Sequence, residues 1–204
     1  VDFHSIHIYT GSEDYYSNVF APHQAERALR ISRALIDQVR YNLHIQHPIG
    51  IAYDEWNVWY RERSPEAGTR GLEERYNLAD ALAVATYLNI FIRHCNTVRM
   101  ANLAQLVNVI APIVTSPQGL YHQTIYHPFH LYAQHTGDIA VDAHVDCETY
   151  DLAPEKESSP WRHRVADLGP FMLLDVAATC DDASQNVTIA VVNRDRQRAI
   201  SSQI

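Results

Sequence analysis

Gly50-Ile51-Ala52-Tyr53-Asp54-Glu55-Trp56-Asn57-Val58-Trp59-Tyr60 decides the fold. Ile51-Ala52-Tyr53 is a compact apolar run, preceded by the breaker His47-Pro48-Ile49-Gly50 and leading straight into two adjacent carboxylates. A short apolar run bounded by turn signals reads as a buried strand. Upstream, Pro22 opens a long helical stretch, as proline does in a first turn. Ala28, Ile31, Leu35, Val39 and Leu43 keep helical spacing there, which predicts one buried face. Further upstream Phe3 to Thr10 alternates, with Ser5, His7 and Tyr9 on one face and His4, Ile6 and Ile8 on the other, so it predicts a strand.

Downstream, a polar loop from Arg61 to Arg75 carries Pro65 and leads into a second helix. Leu78, Leu82, Ala85, Leu88 and Ile92 are its expected buried face. Val98 to Leu103 predicts a third strand, and Gln123 to His135 a further helix with Pro128 near its start. Strand, helix, strand, helix, strand is the order of βα units on a parallel sheet. After Gly137 the pattern changes. Ile139 to Cys147 alternates, and Phe171–Thr179, Asn186–Asn193 and Ala199–Ile204 also read as strands, with a polar linker from Asp151 to Arg164 among them. This predicts α/β architecture over 1–136 and an all-β sandwich over 137–204.

Composition narrows the function. The 204 residues include 16 basic and 24 acidic side chains, a net charge of −8, and no basic stripe, so nucleic acid is not an expected partner. No apolar run reaches the ~18 residues of a membrane span, so no membrane partner is expected either. The opening Val1-Asp2-Phe3-His4 has neither an initiator Met nor a signal-peptide pattern and reads as a strand within a longer protein. The three cysteines, Cys95, Cys147 and Cys180, lack disulfide-framework or zinc spacing and are expected as buried free thiols. Asn186-Val187-Thr188 matches the N-glycosylation acceptor pattern.

Chemistry concentrates at Tyr53–Tyr60. Catalytic groups of βα barrels occupy the C-terminal ends of strands, and Glu55 sits at such an end. Trp56, Trp59 and Tyr60 offer flat apolar surfaces that suit sugar rings. The same pattern also fits an aromatic-rich strand end whose carboxylate caps a turn. Asp54 and Glu55 are not an acid–base pair, because adjacent strand residues point to opposite faces. A retaining glycosidase needs two carboxyl groups ~5–5.5 Å apart across one sugar, so the partner must come from another strand. His7 and Tyr9 share a strand face near its C-terminal end, where a Tyr hydroxyl can orient a carboxylate and a His can donate to a sugar hydroxyl, a pattern that equally fits satisfied structural polar groups lining a barrel interior; Gln123 can offer amide hydrogen bonds to a sugar. His122, His127 and His130 invite a metal reading, but no closed ligand set is evident and no metal or other cofactor is assigned.

These stretches together resemble glycoside hydrolase family 51, the α-L-arabinofuranosidases. The resemblance is carried by Tyr53–Tyr60, by Leu72-Glu73-Glu74-Arg75-Tyr76-Asn77-Leu78-Ala79-Asp80-Ala81-Leu82, by Met100–Ile113 and by Gln123-Thr124-Ile125-Tyr126-His127-Pro128-Phe129, in the expected order. It implies the C-terminal part of a TIM barrel followed by a jelly-roll β-sandwich, both incomplete. It implies exo-removal of terminal α-L-arabinofuranosyl residues from arabinoxylan, arabinan and their oligosaccharides, with retention, no cofactor, and often a homo-oligomer. By position, Glu55 is similar to the family nucleophile on the seventh strand and Tyr9 to the residue that orients it, while His7, Trp59 and Gln123 are similar to sugar-binding residues. The family's general acid/base, a Glu after Asn on the fourth strand, has no counterpart here. The chain is therefore expected to be an inactive fragment, an open part-barrel exposing the apolar sides of Ile6, Ile51 and Val98. The alternatives are a truncated, non-catalytic relative acting as a sugar-binding or assembly subunit, with Trp56, Trp59 and Tyr60 as its platform, and a related glycosidase such as a xylosidase.

Overall fold

The computed structural model describes residues 1–60, 72–154, 165–183 and 186–204. Most of the expected loop from Arg61 to Arg75 and of the linker from Asp151 to Arg164 lies outside these residues. Strands β1 (Phe3–Thr10), β2 (Gly50–Val58) and β3 (Val98–Leu103) form a parallel sheet in the order β1-β2-β3. Helices α1 (Tyr15–Phe20) and α2 (His23–Asn42) connect the first pair of strands, and α3 (Leu78–Arg93) the second. A hairpin of β4 (Ile113–Ser116) and β5 (Gly119–His122) precedes α4 (Tyr126–His135). The remainder is antiparallel. β6 (Ile139–Val141), β9 (Leu174–Cys180) and β10 (Val187–Asn193) form one sheet in the order β10-β9-β6, and β7 (Thr149–Tyr150) pairs with β8 (Phe171–Met172). The chain thus has the expected class, α/β followed by all-β.

The parallel sheet has one apolar face and one polar face. Ile51, Tyr53, Trp56, Val58 and Val98 join Ala25, Leu29 and Ile36 of α2 and Val84, Tyr87, Ile90 and Phe91 of α3 in the main core. Trp56 is fully buried, with its ring 4.9 Å from Tyr87, 5.1 Å from Phe91 and 5.6 Å from Phe129. Ile51 and Val98 are therefore buried, and Ile6 is partly buried against the same core, which corrects the expectation that a part-barrel exposes them. Their side chains point to the helices and not to the concave side.

Both helix faces are also corrected. On α2 the buried residues are Ala25, Leu29 and Ile36, whereas Ile31, Leu35, Val39 and Leu43 are exposed. The helix carries two apolar stripes, and periodicity cannot say which one meets the sheet. On α3 Leu78 is exposed, and burial runs almost all round the helix, from Ala81 to Phe91. The cause is a second layer: α3 packs on the parallel sheet with one side and on β9 and β10 with the other. Two predicted strands are shorter or missing. β6 pairs with β9 only as far as Val141, and among the described residues neither 142–147 nor 199–204 forms a strand. The thiols are free, but Cys95 is exposed and Cys147 and Cys180 are partly exposed, not buried.

A buried polar joint ties the two layers together. The Asp175 carboxylate accepts from Asn89 Nδ2 at 2.8 Å and from Arg93 Nη1 at 3.0 Å and Nη2 at 3.2 Å. Arg194, fully buried, lies 3.7 Å from Asp175 and over the Phe20 ring at 4.8 Å, and donates to Met172 O and to His23 Nε2. Burial of its cation, only partly offset by Asp175, pushes the Arg194 pKa down to about 10. His23 passes the chain of contacts to Glu26, which also meets His94 and Arg30. Burial alone would raise the Glu26 pKa; hydrogen bonds from His23 and His94 override it and hold the carboxyl well below the usual range.

A carboxylate whose pKa is lowered by folding contributes stability above its unfolded value, near 4.5, and loses that contribution as pH falls toward the folded value. Glu26→Gln is expected to lower the unfolding free energy at neutral pH by about 1–3 kcal/mol. It should also flatten the loss of stability below about pH 4.5, as read by urea titrations across that range. Parallel curves for the two proteins would refute it.

Candidate active site

A break in regular pairing builds the site. Along β1 and β2 the partners run Ser5↔Ala52 and then His7↔Glu55, so β2 has one more residue than β1 in that interval. Against β3 the partners run Tyr53↔Ala101 and then Trp56↔Leu103, again with an extra residue on β2. This is a β-bulge at Asp54–Glu55, a feature common beside active sites. It changes the expected orientation, because strict alternation would place Asp54 and Glu55 on opposite faces. Instead both carboxylates reach β1 side chains on the concave face: the Ser5 hydroxyl donates to Asp54 Oδ1 at 2.8 Å, and the Tyr9 hydroxyl donates to Glu55 Oε2 at 2.9 Å. His7 lies between them, with Nε2 3.1 Å from Asp54 Oδ1 and Nδ1 3.6 Å from Glu55 Oε2.

The cluster opens to solvent. Side-chain exposure is 47% for His7, 42% for Asp54 and 46% for Glu55, so reactants can reach the carboxylates. The Ser5 hydrogen bond lowers the Asp54 pKa, with smaller help from its own backbone and from His7. Trp59 borders the group: its ring meets Tyr9 edge-on at 5.4 Å, and its backbone N–H donates to Thr10 O. The structure therefore brings together Glu55, Tyr9, His7 and Trp59. Chemically, this is an ionisable carboxylate oriented by a phenol, flanked by an imidazole and an aromatic wall, in an open trough.

Trp56 and Tyr60 do not belong to it. Trp56 is fully buried among the helices, and Tyr60 is 7% exposed and donates to Asp80 Oδ1, so neither forms a binding platform. Gln123 is placed differently from the other site candidates. Its Oε1 accepts from Tyr76 N at 3.0 Å, and its Nε2 donates to Glu74 O at 3.0 Å and Ala111 O at 2.8 Å. Both amide donors are engaged with backbone and the residue is buried, so no donor is left for a sugar hydroxyl and one acceptor position remains on Oε1. Of the histidines, His122 stacks on Tyr126 at 3.7 Å and Tyr126 stacks with His130 at 5.8 Å, an exposed aromatic ladder. Asn186 is exposed at the start of β10.

Residues that sequence reasoning passed over hold the trough in place. Asn57 is fully buried and donates to Ala104 O and Ile110 O, pinning the end of β2 to the segment after β3. Glu74 accepts from Tyr60 N at 2.9 Å, and Tyr76 donates to Val58 O at 2.8 Å. A buried Asn beside a carboxylate at a strand end was the one available signal.

Residues 54–204 match the family described as Alpha-L-arabinofuranosidase C-terminal domain. The chain is 42% identical to "Probable alpha-L-arabinofuranosidase C" of Aspergillus niger, aligned over 100% of this chain and 39% of that protein. It superimposes on the arabinose complex of an α-L-arabinofuranosidase from Thermotoga maritima with a TM-score of 0.77 and 35% identity, covering 95% of this chain and 38% of the other. A family 51 α-L-arabinofuranosidase from Bifidobacterium longum gives a TM-score of 0.81 and 26% identity, covering 97% of this chain and 40% of the other. The chain thus spans about two fifths of the length of the proteins it matches.

The bonds of Gln123 predict a stability effect. Gln123→Ala leaves buried backbone groups of residues 74, 76 and 111 without these partners, and is expected to lower the unfolding free energy by about 2–4 kcal/mol. Chemical denaturation measures it; unchanged stability would show that Gln123 braces nothing.

Proposed function

This chain belongs to the α-L-arabinofuranosidases, and from that premise we propose that Glu55 is the nucleophile of a retaining, exo-acting enzyme that releases terminal α-L-arabinofuranosyl residues. The observation that carries the proposal is the bulge that turns Glu55 into the solvent-open trough, with the Tyr9 hydroxyl bonded to its Oε2 at 2.9 Å. In this reading residues 1–136 are the later part of a TIM barrel and 137–204 a jelly-roll sandwich. The site then sits where such barrels carry chemistry, at the C-terminal ends of the strands.

A carboxylate nucleophile must be ionised and must hold one oxygen toward the anomeric carbon. Tyr9 fixes Oε2 and leaves Oε1 for attack. That attack forms a glycosyl ester on Glu55 while a second carboxyl group protonates the departing oxygen. The second group then takes a proton from water, which displaces the sugar from Glu55 and restores the original configuration. We assign that second carboxyl to the part of the relatives' length that this chain does not match. Trp59 supplies an apolar wall to one side of the ring, and Gln123 an acceptor for a sugar hydroxyl. The substrates are arabinose-bearing oligo- and polysaccharides such as arabinoxylan and arabinan. Support for the sugar comes from the Thermotoga maritima relative, solved as an arabinose complex.

In the full-length protein carrying this chain, Glu55→Gln is expected to lower kcat on an aryl α-L-arabinofuranoside on the order of 10³-fold or more, with unchanged circular dichroism. Near-normal turnover would end the nucleophile assignment, and preference for a β-D-xylopyranoside would end the substrate assignment. Tyr9→Phe removes one hydrogen bond to a charged group and should reduce kcat about 10–100-fold with little change in KM. A loss confined to KM would contradict the orienting role.

A further inference from the structure

Asp54 is a carboxylate in the trough for which the nucleophile reading has no use. Its surroundings fix a proton. The Ser5 hydroxyl gives its hydrogen to Asp54 Oδ1 at 2.8 Å. His7 Nε2 lies 3.1 Å from that same carboxylate oxygen and 3.2 Å from Ser5 Oγ. An ionised carboxylate only accepts, and a serine whose own hydrogen is engaged can only accept as well. His7 Nε2 therefore carries a hydrogen, since a lone pair there would face two acceptors. In a neutral imidazole the other nitrogen then has the lone pair. That nitrogen, Nδ1, is the one turned toward Glu55, 3.6 Å from Oε2, beyond hydrogen-bonding distance.

We propose that Asp54, with Ser5, is a positioning residue that holds His7 as its Nε2–H tautomer, so that His7 offers an acceptor to a sugar hydroxyl beside Glu55. This rests on the assignment of Glu55 as nucleophile. It reverses the role expected for His7 from sequence, that of a donor to the sugar. The bulge is the device that makes it possible: with Tyr53 on the helix side, regular alternation would leave only one of Asp54 and Glu55 on the concave face, so without the extra residue His7 could not lie between both. The arrangement favours a substrate with a hydroxyl next to the reacting carbon. A hydroxyl that donates to Nδ1 need not donate to the Glu55 carboxylate, whose lone pairs are then left for attack. Hydrogen bonds to that hydroxyl are among those that strengthen in glycosidase transition states.

Replacing the carboxylate by an amide tests it, because an Asn can turn its N–H toward Nε2 and favour the Nδ1–H tautomer. The experiment uses the full-length protein carrying this chain, labelled with ¹⁵N-histidine, at about pH 8, above the ordinary imidazole range. The two-bond ¹⁵N–¹H pattern of His7 is expected to report the Nε2–H tautomer in the unmodified protein. In Asp54→Asn it is expected to shift toward Nδ1–H while kcat/KM on an aryl α-L-arabinofuranoside falls about 10–100-fold, the loss expected when one hydrogen bond to a charged group is given up. Ser5→Ala leaves Asp54 as acceptor and should keep the tautomer; if Asp54→Asn does not fold, the His7 spectrum of the unmodified protein decides the proposal. A hydrogen on Nδ1 in the unmodified protein, as the other tautomer or as imidazolium, overturns the proposal. So does an Asp54→Asn variant with unchanged tautomer and kcat/KM within about twofold. Glu55→Gln, measured alongside, separates the two claims: turnover that survives it removes the nucleophile assignment, while the His7 spectrum still decides the tautomer.

Discussion

Tyr53 and Trp56 both belong to the core between the parallel sheet and its helices, and both rings lie against Phe91. Their sequence separation is odd, and in a regular strand an odd separation places two side chains on opposite faces. The extra residue in β2 resolves the conflict, since it lets Tyr53 and Trp56 share the helix side while Asp54 and Glu55 share the concave side. Two large aromatic rings fully removed from water hold the bulge from one side. Hydrogen bonds from Ser5 and Tyr9 hold it from the other. The geometry of the trough thus follows from a packing demand on the opposite face of the same strand.

The end of β2 is secured in a second way. Asn57 ties it to Ala104 and Ile110, and Glu74, Tyr76 and Gln123 form a further set of bonds to backbone just behind it. Beyond them, α3 is clamped between the parallel sheet and the antiparallel β region. Asp175 stands at that interface, where Asn89, Arg93 and Arg194 satisfy a carboxylate that burial would otherwise destabilise. A helix held on both sides is a rigid backing for Trp56, and through Trp56 for the bulge.

Much of this was legible in the residues. The bounds of β1 and β3 follow from alternation and apolar runs, and the order of βα units gives the parallel sheet. Tyr9 and Glu55 were placed together because each lies near the C-terminal end of its strand. What was not legible depends on long-range packing. Alternation puts Asp54 and Glu55 on opposite faces, because nothing local marks the extra residue in β2. Two apolar stripes on α2 left the choice between Leu29 and Leu35 to the tertiary fold. Trp56 and Tyr60 read as a sugar platform because an aromatic side chain at a strand end looks the same whether it faces solvent or core. Gln123 matched a motif, but the motif does not show that its amide braces backbone.

The central claim is that Glu55 is the group that bonds to the sugar. The most direct measurement is to treat the full-length protein with an activated 2-deoxy-2-fluoro-α-L-arabinofuranoside, which slows breakdown of a covalent intermediate, and to map the trapped sugar by peptide mass spectrometry. Adduct on the peptide containing Glu55, with fragmentation placing it on that carboxylate, is the result predicted. A sugar located on Asp54, or on a carboxylate outside this chain, would contradict the account.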